Sequence, residues 1–391
     1  MIFLNLINQK TSQGKMTKIT AKASNGKSIT FPTNSPKIDN SIIKLYESFL
    51  EDPENDQTYN KLPDEFQTKL NEYLETIRNN PNIQEKFLTS LTGIWKFFVF
   101  GEEYHKAIQY LETLLKNIIV WEKKNNSNIN KSSIYYFLGG TYLLNRNYAQ
   151  GFLSLHSSYE EDRRYKNQIL IKNTPAFLFI TLDISTNKQY WYHLLWGVTA
   201  FLEKRLASYK TDISPSFSFD DFRNNFLKQA DLEIIFLFSF TVIRLFGIEA
   251  FDTTYNNNSS FSAHYRSSLL FDLLVAIENA IRAKGGEGTF KNQAGYLLSK
   301  IPDPQLTENQ MGEINSKEKH NIEDALEQFL ENDYQNKNIK LPIRERSILI
   351  SYLLRNIIAH SSEYLPIINE RFQEIQQSVF NMLFLVVENL Y

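Results

Sequence analysis

The chain contains no cysteine. That excludes disulfide staples, thiolate metal sites and cysteine nucleophiles, and it suits a reducing compartment. Glycine and proline are scarce, 14 and 11 residues in 391, and they gather near 26–36, 285–304 and a few turns. The long stretches between them carry apolar residues at helical spacing, which predicts a mostly α-helical protein. An excess of charge is also lacking: the formal net charge is −2, so the chain as a whole gives no electrostatic case for nucleic-acid binding, and any such case must be local. Long apolar runs are missing too. The longest, "IIFLFSFTVIRLFGI" (234–248), is interrupted by Arg244. It falls short of the ~20 apolar residues that a spanning helix needs, so it predicts a buried helix and no membrane partner. The apolar start "MIFLNLI" is short and lacks the basic stretch of a secretory signal. These absences predict a cytoplasmic protein. Its 42% apolar and 22% charged residues are those of an ordinary folded chain.

Three regions can be drawn. Residues 1–40 form an arm in which Ile19, Ala21 and Ala23, then Ile29 and Phe31, alternate around Asn25-Gly26, a β-hairpin signal. Gly26-Lys27-Ser28 lacks the glycine that a phosphate loop carries five residues upstream, so the turn reading prevails. The Thr/Ser/Pro-rich 32–41 reads as a linker. From 41 to 255 amphipathic helices follow one another, broken by polar stretches. From 256 to 391 four or five helices make one further domain, with a long helix at 265–284 closed by "GGEG", a C-cap signal.

The middle region holds "IYYFLGGTYLLNRNYAQGFLSL" and "GEEYHKAIQYLETLL". Tyr135, Leu138, Gly139, Tyr142, Gly151 and Leu155 in the first, and Ala107 and Leu111 in the second, resemble degenerate tetratricopeptide repeats. In such repeats small residues let paired helices approach while large ones fill the groove. That resemblance implies an irregular helical-repeat sensor or scaffold with a possible protein partner.

The most informative stretch is "SYLLRNIIAHSSEYL" (351–365), an apolar helix that places Arg355, Asn356 and His360 within six residues. Ile350, Leu354 and Ile357 form its packing stripe, and the polar groups leave that stripe. Arg-x4-His occurs once as Arg-x4–6-His in this chain, although there are six histidines. Left to itself the motif has a plain reading: an arginine and a histidine near a helix end cap carbonyls and favour the helix dipole.

In the run "LRNIIAHSS" the chain resembles the HEPN superfamily, helical bundles with an Arg-x4–6-His signature and a polar residue after the arginine. The resemblance covers about 262–391. It implies an all-α chain that ends in a dimeric four- or five-helix bundle acting as a metal-independent endoribonuclease without cofactor. His360 would be the general acid/base, Arg355 the phosphate stabiliser and Asn356 a positioning group. Glu278, in "LLVAIENAIRAK", would be an acidic helper from the opening helix. The resemblance also implies a setting in phage defence or as a toxin with an antitoxin partner. The alternative is a non-catalytic protein whose bundle dimerises while the repeats bind a partner protein or RNA.

The chemistry fits the residue types. Attack by the RNA's own 2′-hydroxyl needs a proton acceptor near neutral pH and a fixed cation at the phosphorane, which histidine and arginine supply. Five residues along a helix turn about 140°, so Arg355 and His360 diverge on one straight helix. Convergence then requires the helix to loosen or two copies to meet across a two-fold axis, which predicts a homodimer. Segment 340–360 carries Lys340, Arg344, Arg346 and Arg355 against Glu345, a net charge of +3 that would suit RNA phosphates. The plain alternative pairs Arg344 and Arg346 with the acidic segment 317–333. His156 and Glu160 in "HSSYEED" stand at metal-ligand spacing, but the run reads better as an exposed repeat edge. Trp191, His193 and Trp196 read as fillers of inter-helix space.

Overall fold

The structure is a computed structural model, and it describes residues 17–22, 28–33, 61–100, 102–183, 191–252, 260–318, 321–333, 340–360 and 365–391. The described chain is helical apart from two strands, and it divides into two compact units, Met1–Ala176 and Phe177–Tyr391. The second unit therefore begins well before residue 256, because helices from the middle region pack with the C-terminal ones.

In the first unit, β1 (Thr17–Lys22) and β2 (Ser28–Thr33) pair antiparallel, with Ile19 opposite Phe31 and Ala21 opposite Ile29. A two-residue Asn25-Gly26 turn would pair Lys22 with Ile29, whereas the register pairs it with Ser28. Residues 23–27 lie outside the described ones. Among the described residues the main helices that follow are α1 (Asp64–Ile77), α2 (Pro81–Leu91), α3 (Gly93–Phe100), α4 (Tyr104–Asn125), α5 (Ser132–Leu144) and α6 (Tyr148–Tyr165). Local chemistry sets their ends. Asn80 caps α2 by accepting from the Ile83 N–H at 3.3 Å, Pro81 opens it, and α4 stops at Asn126, which takes a left-handed φ of 47°.

Helices α5 and α6 form a tight hairpin. A Cβ added at Gly139 would stand 2.8 Å from Leu155 Cγ and 2.9 Å from the Gly151 carbonyl oxygen. Only hydrogen at these positions lets the two backbones approach so closely. Trp95, Tyr110, Leu111, Leu138 and Leu155 fill the core beside them.

In the second unit the main helices are α7 (Tyr192–Asp212), α8 (Leu232–Asp252), α9 (Ser260–Ala283), α10 (Phe290–Leu298), α11 (Glu308–Lys317), α12 (Ile322–Glu331), α13 (Ile343–His360) and α14 (Phe372–Leu390). Helix α14 is apolar on every side between Val379 and Val387, save Asn381, and it lies in the middle with α7, α9 and α13 around it. Phe384 meets Phe222 edge-to-face and also packs on Tyr209 and Phe217. Helix α9 ends as its glycines require. Gly285 takes φ 94°, its N–H bonds the Arg282 carbonyl, and the Gly286 N–H bonds that of Ile281, a Schellman closure. The stripe Ile350, Leu354 and Ile357 is buried as its spacing predicts. Helix α8 holds the long apolar run, and among the described residues no helix is long and apolar enough to cross a membrane.

Candidate functional site

Helices α9 and α13 bring together two of the residues singled out in the sequence. Arg355 Nη2 stands 3.4 Å from Glu278 Oε2, although 77 positions separate them. The opposite oxygen, Oε1, accepts from Arg282 Nη2 at 2.9 Å. Phe271, Glu278 and Arg282 recur at intervals of seven and four, so one face of α9 carries all three. Arg355 lies across that face, its guanidinium carbon 5.9 Å from the Phe271 ring centre. Two guanidinia share one carboxylate, which leaves a positive charge at the spot. Glu278 is 13% exposed and Arg355 25%, so the pair is partly shielded and less screened by salt than surface ions. Among the described residues the buried Nε–H of Arg355 has no acceptor.

Asn356 follows on the next face of α13 and donates through Nδ2 to Asn315 Oδ1 of α11 at 3.3 Å. His360 is the last residue of α13, and its side chain lies outside the described ones. Because α13 remains helical as far as His360, that position and position 355 stand about 140° apart around the axis.

The basic residues upstream are spread out. Lys340 is exposed just ahead of α13. Arg344 donates to Glu345 Oε1 at 2.7 Å and to the Pro302 carbonyl at 3.1 Å. Arg346 is half-buried, and burial holds its pKa below the usual arginine range against the opposing pull of Asp212. Eleven residues of helix set Arg344 roughly 16 Å from Arg355 along the axis. The acidic segment is not the partner of Arg344; its Glu331 pairs with Arg371 at 3.3 Å.

Two readings of local runs need correction. "HSSYEED" is not an exposed edge throughout: Glu161 and Asp162 are buried, paired with Lys131 at 3.4 Å and Lys166 at 2.7 Å. Both carboxylates sit on the inward face of α6, and one of their cations comes from thirty residues upstream. Among the described residues no group of three or more His, Cys, Asp or Glu side chains is placed to hold a metal. Trp191 is buried, but Trp196 is 59% exposed and fills no inter-helix space. Sequence reasoning also missed Arg282, Phe271 and Asn315. The first two share the helical face of Glu278 and were legible in "FDLLVAIENAIR"; Asn315, on a separate helix, carried no local signal.

No family model matches the chain, and no curated protein or solved structure matches it either.

Proposed function

We propose that the second unit is a HEPN-like bundle acting as a metal-independent endoribonuclease. The observation that carries this reading is the meeting of Glu278 and Arg355 across α9 and α13. Arg355 holds the scissile phosphate and stabilises the phosphorane, with Glu278 orienting its guanidinium. His360 takes the proton from the 2′-hydroxyl as the 2′-oxygen–phosphorus bond forms. As the bond to the 5′-oxygen breaks, protonated His360 acts as the acid and gives that oxygen a proton, leaving a 2′,3′-cyclic phosphate and a 5′-hydroxyl. No metal is needed for this step, since the nucleophile belongs to the substrate. Asn356 positions the site, while Lys340 ahead of α13 and Arg344 and Arg346 in its first turn, on different faces, add local positive charge for the RNA backbone. Because positions 355 and 360 diverge on an unbroken helix, His360 of one protomer works with Arg355 of its partner in a homodimer. The helices of the first unit, repeat-like in sequence, receive a protein partner or the signal that releases cleavage, in keeping with a defence or toxin effector.

The test is RNA cleavage in EDTA by the parent, Arg355→Ala and His360→Ala, with end-group analysis. Cyclic-phosphate products from the parent, with each variant down by 10²-fold or more on the order of one lost stabilising donor, are expected. A 3′-hydroxyl product, or variants that cleave like the parent, refutes the mechanism. A monomer by light scattering at micromolar concentration refutes the shared site.

A second reading has an observation of its own: Arg355 is ion-paired within the bundle and Asn356 spends its amide on Asn315. On that reading the motif holds the fold together and the protein binds a partner protein or RNA without cutting. Parent protein that binds RNA yet never cleaves it, with Arg355→Ala unfolding the second unit, would favour it.

A further inference from the structure

The first unit carries an open cleft of about 590 Å³ lined by Arg78, Asn79, Gln84, Asn128, Arg164 and Tyr165. Its frame is built from separate chain segments pinned to one another. Gln84 of α2 is 1% exposed. Its Nε2 donates to the Ile77 and Arg78 carbonyls at 3.2 and 2.7 Å, and its Oε1 accepts from the Asn130 N–H at 3.0 Å. One side chain thus ties the end of α1 and the segment before α5 to α2. The next backbone N–H, that of Lys131, donates to Glu161 Oε2 of α6 at 3.2 Å, and Arg164 Nη1 donates to Glu161 Oε1 at 2.8 Å. The walls are therefore preformed, so a ligand need not bear the cost of ordering them.

The lining has two guanidinia and no carboxylate. Arg164 spends one of its five donors on Glu161 and keeps the others, while Glu161 also stands 3.4 Å from the Nζ of Lys131. Arg78 pairs with Glu75 at 2.8 Å, both about half exposed, and such a surface pair is displaced at little cost. The remaining lining offers side-chain amides and a phenol ring and no aliphatic side chain. An aliphatic ligand finds no counterpart there, and a bare inorganic anion leaves the amides and ring unused. The volume lies within the roughly 300–1,000 Å³ of small-molecule sites.

We propose that this cleft binds a mononucleotide, with its phosphate across Arg78 and Arg164 and its base against Tyr165, its edge read by Asn79 and Asn128. Guanidinium forks match phosphate oxygens bidentately, and asparagine amides offer both a donor and an acceptor to a base edge. The site is separate from the Arg355 region and does not depend on the ribonuclease reading.

The test is calorimetric titration of the full chain with adenosine and uridine monophosphates, the two nucleosides and inorganic phosphate. At least one monophosphate should bind, and its nucleoside should bind about tenfold or more weaker, the loss expected for a charge-assisted contact. Arg78→Ala and Arg164→Ala should each weaken binding by a similar factor. Asn128→Asp, at an exposed lining position, should abolish it while leaving the melting curve unchanged, which keeps the test decisive if an arginine variant fails to fold. The proposal is overturned if neither monophosphate gives heat up to millimolar concentration. It is equally overturned if nucleoside or inorganic phosphate matches the nucleotide, or if Asn128→Asp binds like the parent, which would place the nucleotide elsewhere on the chain.

Discussion

Replacing Lys131 by methionine tests the frame on which the first unit rests. The Lys131 side chain is 7% exposed, and its Nζ reaches Glu122 Oε1 at 2.7 Å, the Ile129 carbonyl at 2.7 Å and Glu161 Oε2 at 3.4 Å. Methionine keeps the length of the stem and removes the cation. The buried Glu161 and the largely shielded Glu122 then lose their shared cation. Glu161 keeps Arg164, but among the described residues Glu122 keeps only the Ile129 N–H at 2.6 Å. Breaking a buried ion pair on one side costs about 3–5 kcal/mol, because the remaining charge stays desolvated. The surviving arginine places the expected loss at the lower end, near ~3 kcal/mol. In a unit of this size that lowers the melting temperature by on the order of 10 °C. Calorimetric melting of the full chain reads it directly. Adding Glu122→Gln should restore most of the loss, since a neutral amide oxygen still accepts from Ile129 and carries no charge to strand. A loss below ~1 kcal/mol, or a double variant as unstable as the single one, would show that Lys131 is not the counterion of this network.

Glycine to alanine should act with opposite signs at two helical positions. At Gly139 the new Cβ meets the Gly151 carbonyl at 2.9 Å, so an overpacking cost of about 1–3 kcal/mol outweighs the helix-propensity gain, and the melting temperature falls. At Gly312 the nearest atoms belong to the flexible Lys291 side chain at 3.5 Å, so the same change stabilises by about 0.4–1 kcal/mol. Equal signs in the two melts would contradict this packing. Glu278→Gln removes the one carboxylate that Arg282 and Arg355 share. On the ribonuclease reading RNA should bind more tightly in a filter assay while cleavage falls by roughly tenfold or more, since a misplaced guanidinium no longer meets the phosphorane. Unchanged binding and cleavage would remove Glu278 from the site. Gln84→Leu should loosen the nucleotide cleft and destabilise the first unit by about 1–3 kcal/mol, because the Asn130 N–H loses its acceptor and two carbonyls lose their donor. A melt like the parent's would deny Gln84 its part in the frame.

Much of the architecture follows from local chemistry that a sequence displays. Helical spacing, the Asn80-Pro81 start, the Gly285-Gly286 stop and the stripe of Ile350, Leu354 and Ile357 depend on residues within a turn or two of one another. Short-range sterics and hydrogen bonding determine them before any long-range contact forms. The pairing of Gly139 with Gly151 belongs to the same class, since a tight hairpin brings near neighbours face to face. Glu278 and Arg355 were legible as residue types. Composition and spacing did not give their meeting, which depends on how α9 and α13 cross, 77 positions apart; only the family resemblance placed Glu278 beside the Arg355 site. The same limit explains why "HSSYEED" reads as an exposed edge in sequence. An acidic run announces solvent until a lysine thirty residues away, carried in on another segment, neutralises it. The unit boundary at 176 and 177 and the cleft around Gln84 were likewise decided by tertiary packing. Charge and polarity are properties of residues, whereas burial and partnership are properties of the whole fold, and the chemistry of both sites rests on the second pair.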